Sequence, residues 1–195
     1  MGLAFVFGNG TSRLDVDIDT CRQYGPIYGC NAMYREYSPD VLVATDRPIS
    51  EAIEKSGYAK TNKFYTRRPT SGSGALQVPQ EYFGNSSGPL AVALACLDKH
   101  RVIYLVGFDM GPSSTGHFNN VYASTEFYKK ASAVPTYTGN WVKQLIKITK
   151  DFPAVSFYRI VGSTTAEIRE LIGAKNVYHM PMTEFLNRIN NTKEL

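Results

Sequence analysis

The segment Gly8-Asn9-Gly10-Thr11-Ser12-Arg13 follows an apolar run, Leu3 to Phe7, without a break. Two glycines in such a loop leave room for a phosphate, and successive amides can turn toward its charge. The side chains of Asn9 and Ser12 are suited to donate to phosphate or ribose, and Arg13 to pair with phosphate or with Asp15. A second stretch, Ser86-Ser87-Gly88-Pro89, opens an alanine-rich segment, after which Val102 to Gly107 runs to Asp109. Asn31 and Asp46 also stand just after short apolar runs. An acid in that place either holds a ribose hydroxyl or caps the next turn. An asparagine there either contacts base or ribose or makes the turn itself. In an open α/β sheet, ligands bind beyond the carboxyl ends of the strands. Gly8, Asn9, Gly10, Ser12, Arg13, Asn31, Asp46, Ser86, Ser87, Gly88 and Asp109 are therefore the candidate nucleotide-binding residues.

The glycine loop lacks the Gly-Lys-Ser/Thr ending of the Walker loop and the third glycine of the dinucleotide fingerprint. Read alone, it fits a tight turn as well as a phosphate cradle. Of the three histidines, His117 is the candidate for acid–base work or for steadying a phosphate, because it lies close after Asp109 among Gly111, Ser113, Ser114 and Tyr122. Asp15, Asp17 and Asp19 lack the glycine and the bidentate glutamate of a calcium loop. They read as solvated or capping carboxylates, and no metal site is expected.

These residues need a sheet to position them. Strands are expected at Leu3–Phe7, Pro26–Cys30, Val41–Ala44, Lys63–Thr66, Arg101–Val106, Ala154–Val161 and Asn176–His179. Helices are expected from Pro48 to Lys55, Ser87 to Leu97, Asn140 to Lys150 and Thr165 to Ile172, with a last one opening at Pro181. Alternation of Leu14, Val16 and Ile18 with acids predicts an extended piece there. The fold class is α/β, a Rossmann-like, mostly parallel sheet with helices on both faces. The chain reads as one nucleotide-binding domain over 1–195. A flexible loop at 67–85 reads as an exposed connection or a lid, and a long, irregular loop at 111–139 lies near the site.

Composition narrows the partners. A chain of 195 residues with 43% hydrophobic content fits one ordinary globular domain. No apolar run approaches the ~20 residues of a membrane helix, so membrane insertion is not expected. A net charge of +4 without a long basic stripe suits an anionic small molecule and argues against a nucleic-acid partner. Three cysteines without CxxC spacing support neither a disulfide framework nor a zinc knuckle. Reduced thiols in a cytoplasmic protein are the expectation.

The landmarks resemble those of the bacterial sialyltransferases of glycosyltransferase family 42. They also resemble the archaeal hydroxymethylpterin diphosphokinase-like proteins, with which motility-accessory glycosyltransferases share a domain. The shared pattern is strand-Gly-Asn-Gly-x-Ser (Phe7 to Ser12), Cys30-Asn31, Ser87-Gly88 before an alanine-rich helix, and Ile103 to Asp109. It spans about the first 110 residues as spaced landmarks. The resemblance implies a nucleotide or nucleotide-sugar ligand, a CMP-sialic-acid-like donor, no cofactor and no metal, and a tendency to homo-oligomers. It also implies two tyrosines that hold the departing phosphate and a later histidine base. This sequence departs there. Gly111 stands at the first tyrosine, His117 near the second, and Tyr137-Thr138-Gly139 replaces the histidine segment. Tyr122 or Tyr137 is then the candidate substitute beside His117. Three functions follow: a metal-independent glycosyltransferase, a magnesium-dependent pyrophosphokinase-like enzyme, or a non-catalytic nucleotide-binding protein. The compact chain also suits a phage-encoded member, acting in host cytoplasm.

Overall fold

The computed structural model describes residues 2–191. Eight strands form one sheet: β1 (Gly2–Phe7), β2 (Ile27–Cys30), β3 (Val41–Val43), β4 (Phe64–Thr66), β5 (Leu76–Gln77), β6 (His100–Val106), β7 (Ser156–Val161) and β8 (Val177–Pro181). Their order is β5-β4-β3-β2-β1-β6-β7-β8. Every neighbouring pair is parallel. The chain builds leftward from β1 to β5, then crosses back to place β6 on the other side of β1. That reversal opens a crevice between the carboxyl ends of β1 and β6, where ligands of such sheets bind.

The helices are α1 (Ile18–Arg22), α2 (Arg47–Lys55), α3 (Ser87–Leu97), α4 (Gly139–Asp151), α5 (Arg169–Ile172) and α6 (Met182–Asn190). Successive strand residues face opposite layers. Ala4, Val6, Ile103 and Leu105 pack with α3, α4 and α5, whereas Phe5, Phe7, Tyr104 and Val106 pack in the other core with α1, α2 and α6. α3 is buried nearly all round. Its alanines let it lie close on the middle of the sheet, with α4 over it. Both faces being covered explains why the central strands are continuous apolar runs.

Some expected elements differ. The Asp15–Asp19 region is not extended: a 3-10 turn, Thr11–Asp15, leads into α1. The Asp17 carboxylate caps α1 by accepting from Asp19 N at 3.1 Å and Thr20 Oγ1 at 2.7 Å, and this local capping outweighs the alternating pattern. The helix expected from Thr165 is confined to Arg169–Ile172, because Thr164, Thr165 and the Ala166 amide bond to Asp109 instead. The 67–85 segment carries β5 and a 3-10 turn, Gln80–Tyr82. The Glu54 carboxylate accepts from Thr70 N, Thr70 Oγ1 and Ser73 Oγ and ties this segment to α2. The 111–139 segment contains no helix or strand before α4 begins at Gly139. No helix among the described residues is long and apolar enough to cross a membrane.

Candidate functional site

A cleft of about 190 Å³ lies over the carboxyl ends of the central strands. Gly8, Asn9 and Gly10 follow β1, Asn31 follows β2, Thr45 and Asp46 follow β3, Arg67 follows β4, and Gly107 to Gly111 follow β6; all line it. Ser86, Ser87 and Gly88 enter from the start of α3, and Phe118, Asn119, Thr138 and Trp141 close the far wall. The structure thus brings nine of the sequence-predicted residues, Gly8, Asn9, Gly10, Asn31, Asp46, Ser86, Ser87, Gly88 and Asp109, around one hollow.

The glycine loop is built for a different purpose from the one its composition suggests. A Cβ on Gly8 would stand 2.6 Å from Gly107 O, and one on Gly10 2.5 Å from the Asp109 carboxyl. The glycines therefore let the β1 loop close on the β6 turn. The loop amides go the same way. Gly8 N donates to Val106 O at 2.8 Å and Gly10 N to Gly107 O at 2.9 Å. Thr11 N donates to Asn119 Oδ1 at 2.9 Å and Ser12 N to Asp109 Oδ2 at 3.1 Å. Such amides are spent within the fold and do not form a phosphate nest.

Asp109 is the knot of this arrangement. It is buried. Its carboxylate accepts from Ser12 N and Ser12 Oγ, from Asn119 Nδ2 at 3.1 Å, and from the Thr164 and Thr165 hydroxyls at 2.7 and 3.2 Å. One carboxylate thus joins the β1 loop, the 111–139 segment and the turn after β7. Ser12 is buried in that knot and does not line the cleft. Behind it, Arg159 of β7 is 1% exposed. It donates to Phe108 O through Nε at 3.1 Å and Nη2 at 2.9 Å, to Asp109 O at 3.1 Å, and to Ala166 O at 2.8 Å. Burial pulls its pKa down to about 10, against the pull of Asp109, which leaves it charged at neutral pH.

Arg13 is also occupied inside the protein. Buried at 3% exposure, it donates to Asn9 Oδ1 at 2.6 Å and to the Tyr122 hydroxyl at 2.8 Å. Its guanidinium lies 5.1 Å from the centre of the Tyr122 ring. Asn9 in turn donates through Nδ2 to Cys30 O at 3.2 Å, so both ends of its amide are used. Tyr122 is buried, and burial raises its pKa above the usual phenol value although Arg13 opposes the shift. Neither Arg13 nor Tyr122 lines the cleft; they lock the long loop onto Asn9, a bond that Val121 N to Asn9 O at 2.8 Å repeats. Ser87 Oγ accepts from Thr45 N at 3.0 Å, which fastens the start of α3 to the end of β3. The N-cap of α3 is Ser86, and the helix covers Ser87–Leu97 as expected.

His117 and Tyr137 lie outside the hollow. The His117 ring is exposed, with Nδ1 3.1 Å from Thr115 Oγ1. Tyr137 is 74% exposed. His117→Ala is expected to leave nucleotide affinity within about twofold, as for an exposed substitution away from a site; a titration of the purified variant checks it, and an unchanged turnover would remove the ring from the chemistry.

Two backbone features mark the cleft. Asn31 and Met110 both hold left-handed backbone, with φ of 55°. Strained positions of this kind cluster at functional sites. Asn31 Oδ1 is buried and has no hydrogen-bond partner among the described residues, an unpaired state that native structures rarely tolerate. Asp46 is exposed, and its carboxylate makes no capping bond to α2.

Sequence reading missed Arg67, Asn119 and Trp141. Arg67 follows β4 directly, closer to its strand than Asp46 is to β3, so the strand-end rule would have found it. Asn119 and Trp141 arrive through the irregular loop and α4, with no local signal. Among the described residues, no group of three or more His, Cys, Asp or Glu side chains is placed to hold a metal ion.

No protein-family model matches the chain, and no curated protein matches it by sequence. Solved structures do. The monofunctional alpha-2,3-sialyltransferase Cst-I of Campylobacter jejuni superposes with a TM-score of 0.55 at 13% identity, over 82% of this chain and 75% of that one. The sialyltransferase CstII of Campylobacter jejuni, solved with the substrate analogue cytidine-5'-monophosphate, gives 0.55 at 13% identity over 82% and 79%. CstII with a trisaccharide acceptor and CMP gives 0.54 at 13% identity over 93% and 87%. The chain therefore has the α/β fold of these sialyltransferases.

Proposed function

We propose that the chain binds a nucleotide at the β1/β6 crevice and transfers a glycosyl group from a nucleotide-activated sugar, a CMP-linked acidic sugar being the favoured donor. One observation carries this reading: Asn31, whose side-chain oxygen finds no partner among the described residues, lines the cleft formed where the strand order reverses. A turn of the Asn31 side chain toward the cleft would let a ligand N–H or O–H donor satisfy that oxygen, and a base amino group or a ribose hydroxyl supplies one. The similarity in fold to enzymes crystallised with CMP supports the same ligand class.

The rest of the cleft suits that ligand. Trp141 and Phe118 offer aromatic surface for a base. Asp46 has a free carboxylate for ribose hydroxyls. The first amides of α3, at Ser87 and Gly88, have no partners within the helix and favour negative charge nearby. The reading assigns no metal and places the transfer step at the open rim of the cleft.

The test uses a built-in reporter. Trp141 is the sole tryptophan of the chain, so its fluorescence should change on titration with CMP. A thermal-shift screen of CMP, UMP, GMP, AMP and their sugar conjugates runs beside it. Ligand at one hundred times its dissociation constant should stabilise the fold by about 2.7 kcal/mol. Asn31→Ala should weaken the selected nucleotide roughly tenfold. No fluorescence change and no thermal shift with any nucleotide would defeat the reading.

A further inference from the structure

A second hollow, of about 820 Å³, adjoins the cleft and shares Thr45, Asp46 and Arg67 with it. The cleft alone is smaller than the ~300 Å³ at which pockets for whole drug-sized ligands begin. A nucleotide seated in it must therefore extend, and the groove is the continuous way out.

Arg67 stands at the join. Its Nε donates to Phe83 O at 2.9 Å, and its Nη2 to Asn85 O at 2.9 Å and Gly84 O at 3.4 Å. These bonds fix the guanidinium in one place. Nη1 makes no hydrogen bond to a described residue, and Arg67 forms no ion pair with a carboxylate among the described residues. It is also the one cationic side chain among the described residues that line the cleft. The carbonyls it grips lead straight into α3, which sets its charge beside the positive end of that helix. Farther along the groove, Arg47 is already paired with Glu51 at 2.6 Å, while Arg68 adds a further positive charge.

The opposite side of the cleft cannot hold an anion in this way. The Gly10, Thr11 and Ser12 amides are consumed by Gly107, Asn119 and Asp109. The buried Asp109 carboxylate, bonded to that wall, repels negative charge. Binding of a phosphate there would require breaking several internal hydrogen bonds.

We propose that Arg67 is the anchor for the phosphoryl group of the bound nucleotide, which therefore points toward the β4 side and the groove rather than toward the glycine loop. This rests on the nucleotide reading above. A fixed guanidinium with free donors recognises phosphate oxygens by charge and geometry together. The nucleoside fills the cleft, and whatever the phosphate carries continues along the groove past Arg68.

The experiment compares CMP with cytidine by Trp141 fluorescence, on the wild type and on Arg67→Ala. The wild type should bind CMP roughly tenfold or more tightly than cytidine, as a charge-assisted hydrogen bond implies. In Arg67→Ala the ratio of the two affinities should fall toward one. A retained preference for CMP would overturn the assignment. Because removal of Arg67 also frees three carbonyls, the wild type supplies a second measurement. Inorganic phosphate should displace CMP competitively yet bind together with cytidine; phosphate that leaves CMP binding untouched would overturn the assignment as well. If the wild type binds neither CMP nor cytidine, the nucleotide reading itself fails, and this inference falls with it.

Discussion

Asp109→Ala should lower the free energy of unfolding by about 3–5 kcal/mol, the range for breaking a buried charged network. The reason is the donors left behind. Ser12 N and the Asn119 amide point at the carboxylate from fixed positions, and a methyl group offers them nothing. Each stranded donor costs about 1–3 kcal/mol. The Thr164 and Thr165 hydroxyls can rotate to other acceptors and add less. In a urea titration the midpoint should fall while the slope stays constant, because the surface exposed on unfolding is unchanged. At about 2–4 °C per kcal/mol for a chain of this size, the melting temperature should drop by roughly 10 °C. Nucleotide affinity should fall too, since the β1 loop and the far wall lose their common tie. A variant that keeps the wild-type midpoint would show that the knot is not structural.

Arg159→Met should cost a similar amount, about 3–5 kcal/mol, for the complementary reason. Methionine keeps much of the stem volume but supplies no donor, and the carbonyls of Phe108, Asp109 and Ala166 then face an apolar side chain. The same urea titration measures it. The two substitutions act on one turn: Asp109 holds it through its carboxylate, and the Arg159 guanidinium holds it by its backbone carbonyls. Their effects should therefore not add. The double variant should lose less than the sum of the single losses, by about 0.5–3 kcal/mol, the usual coupling of neighbouring residues. Strict additivity would mean that the two side chains support separate elements.

Both residues illustrate how far a single chain of letters can be read. The parallel sheet was legible because most of its strands are short, largely apolar runs; β5, the exposed pair Leu76–Gln77, carries no such signal. Strand ends point to one rim, so Asn31, Asp46 and Ser87 could be placed together without knowing any distance. What was not legible is how the polar groups pair. Ser12, Arg13 and Tyr122 have the chemistry of ligand contacts, and the fold uses them internally, because partners 97 and 109 residues away complete their bonds. Arg159 sits in the middle of a strand and gives no sign that it caps a turn 51 residues earlier. Trp141 stands in the first turn of α4, where nothing local marks it for the cleft. Only the path of the irregular 111–139 segment brings that helix to the cleft.

The position of β1 has a consequence for how the molecule is made. The first of the described strands in chain order is an inner one. It finds β2 early, through Phe5–Ile27 and Val6–Tyr28, but its six-residue partnership with β6 waits until residue 106 has been synthesised. Until then one flank of a very apolar ribbon has open backbone groups, a state prone to mispairing with other nascent chains. The distant pairing also places this protein among the slower folders for its size. A chaperone that shelters the growing chain until β6 has been made would therefore have most to offer during translation.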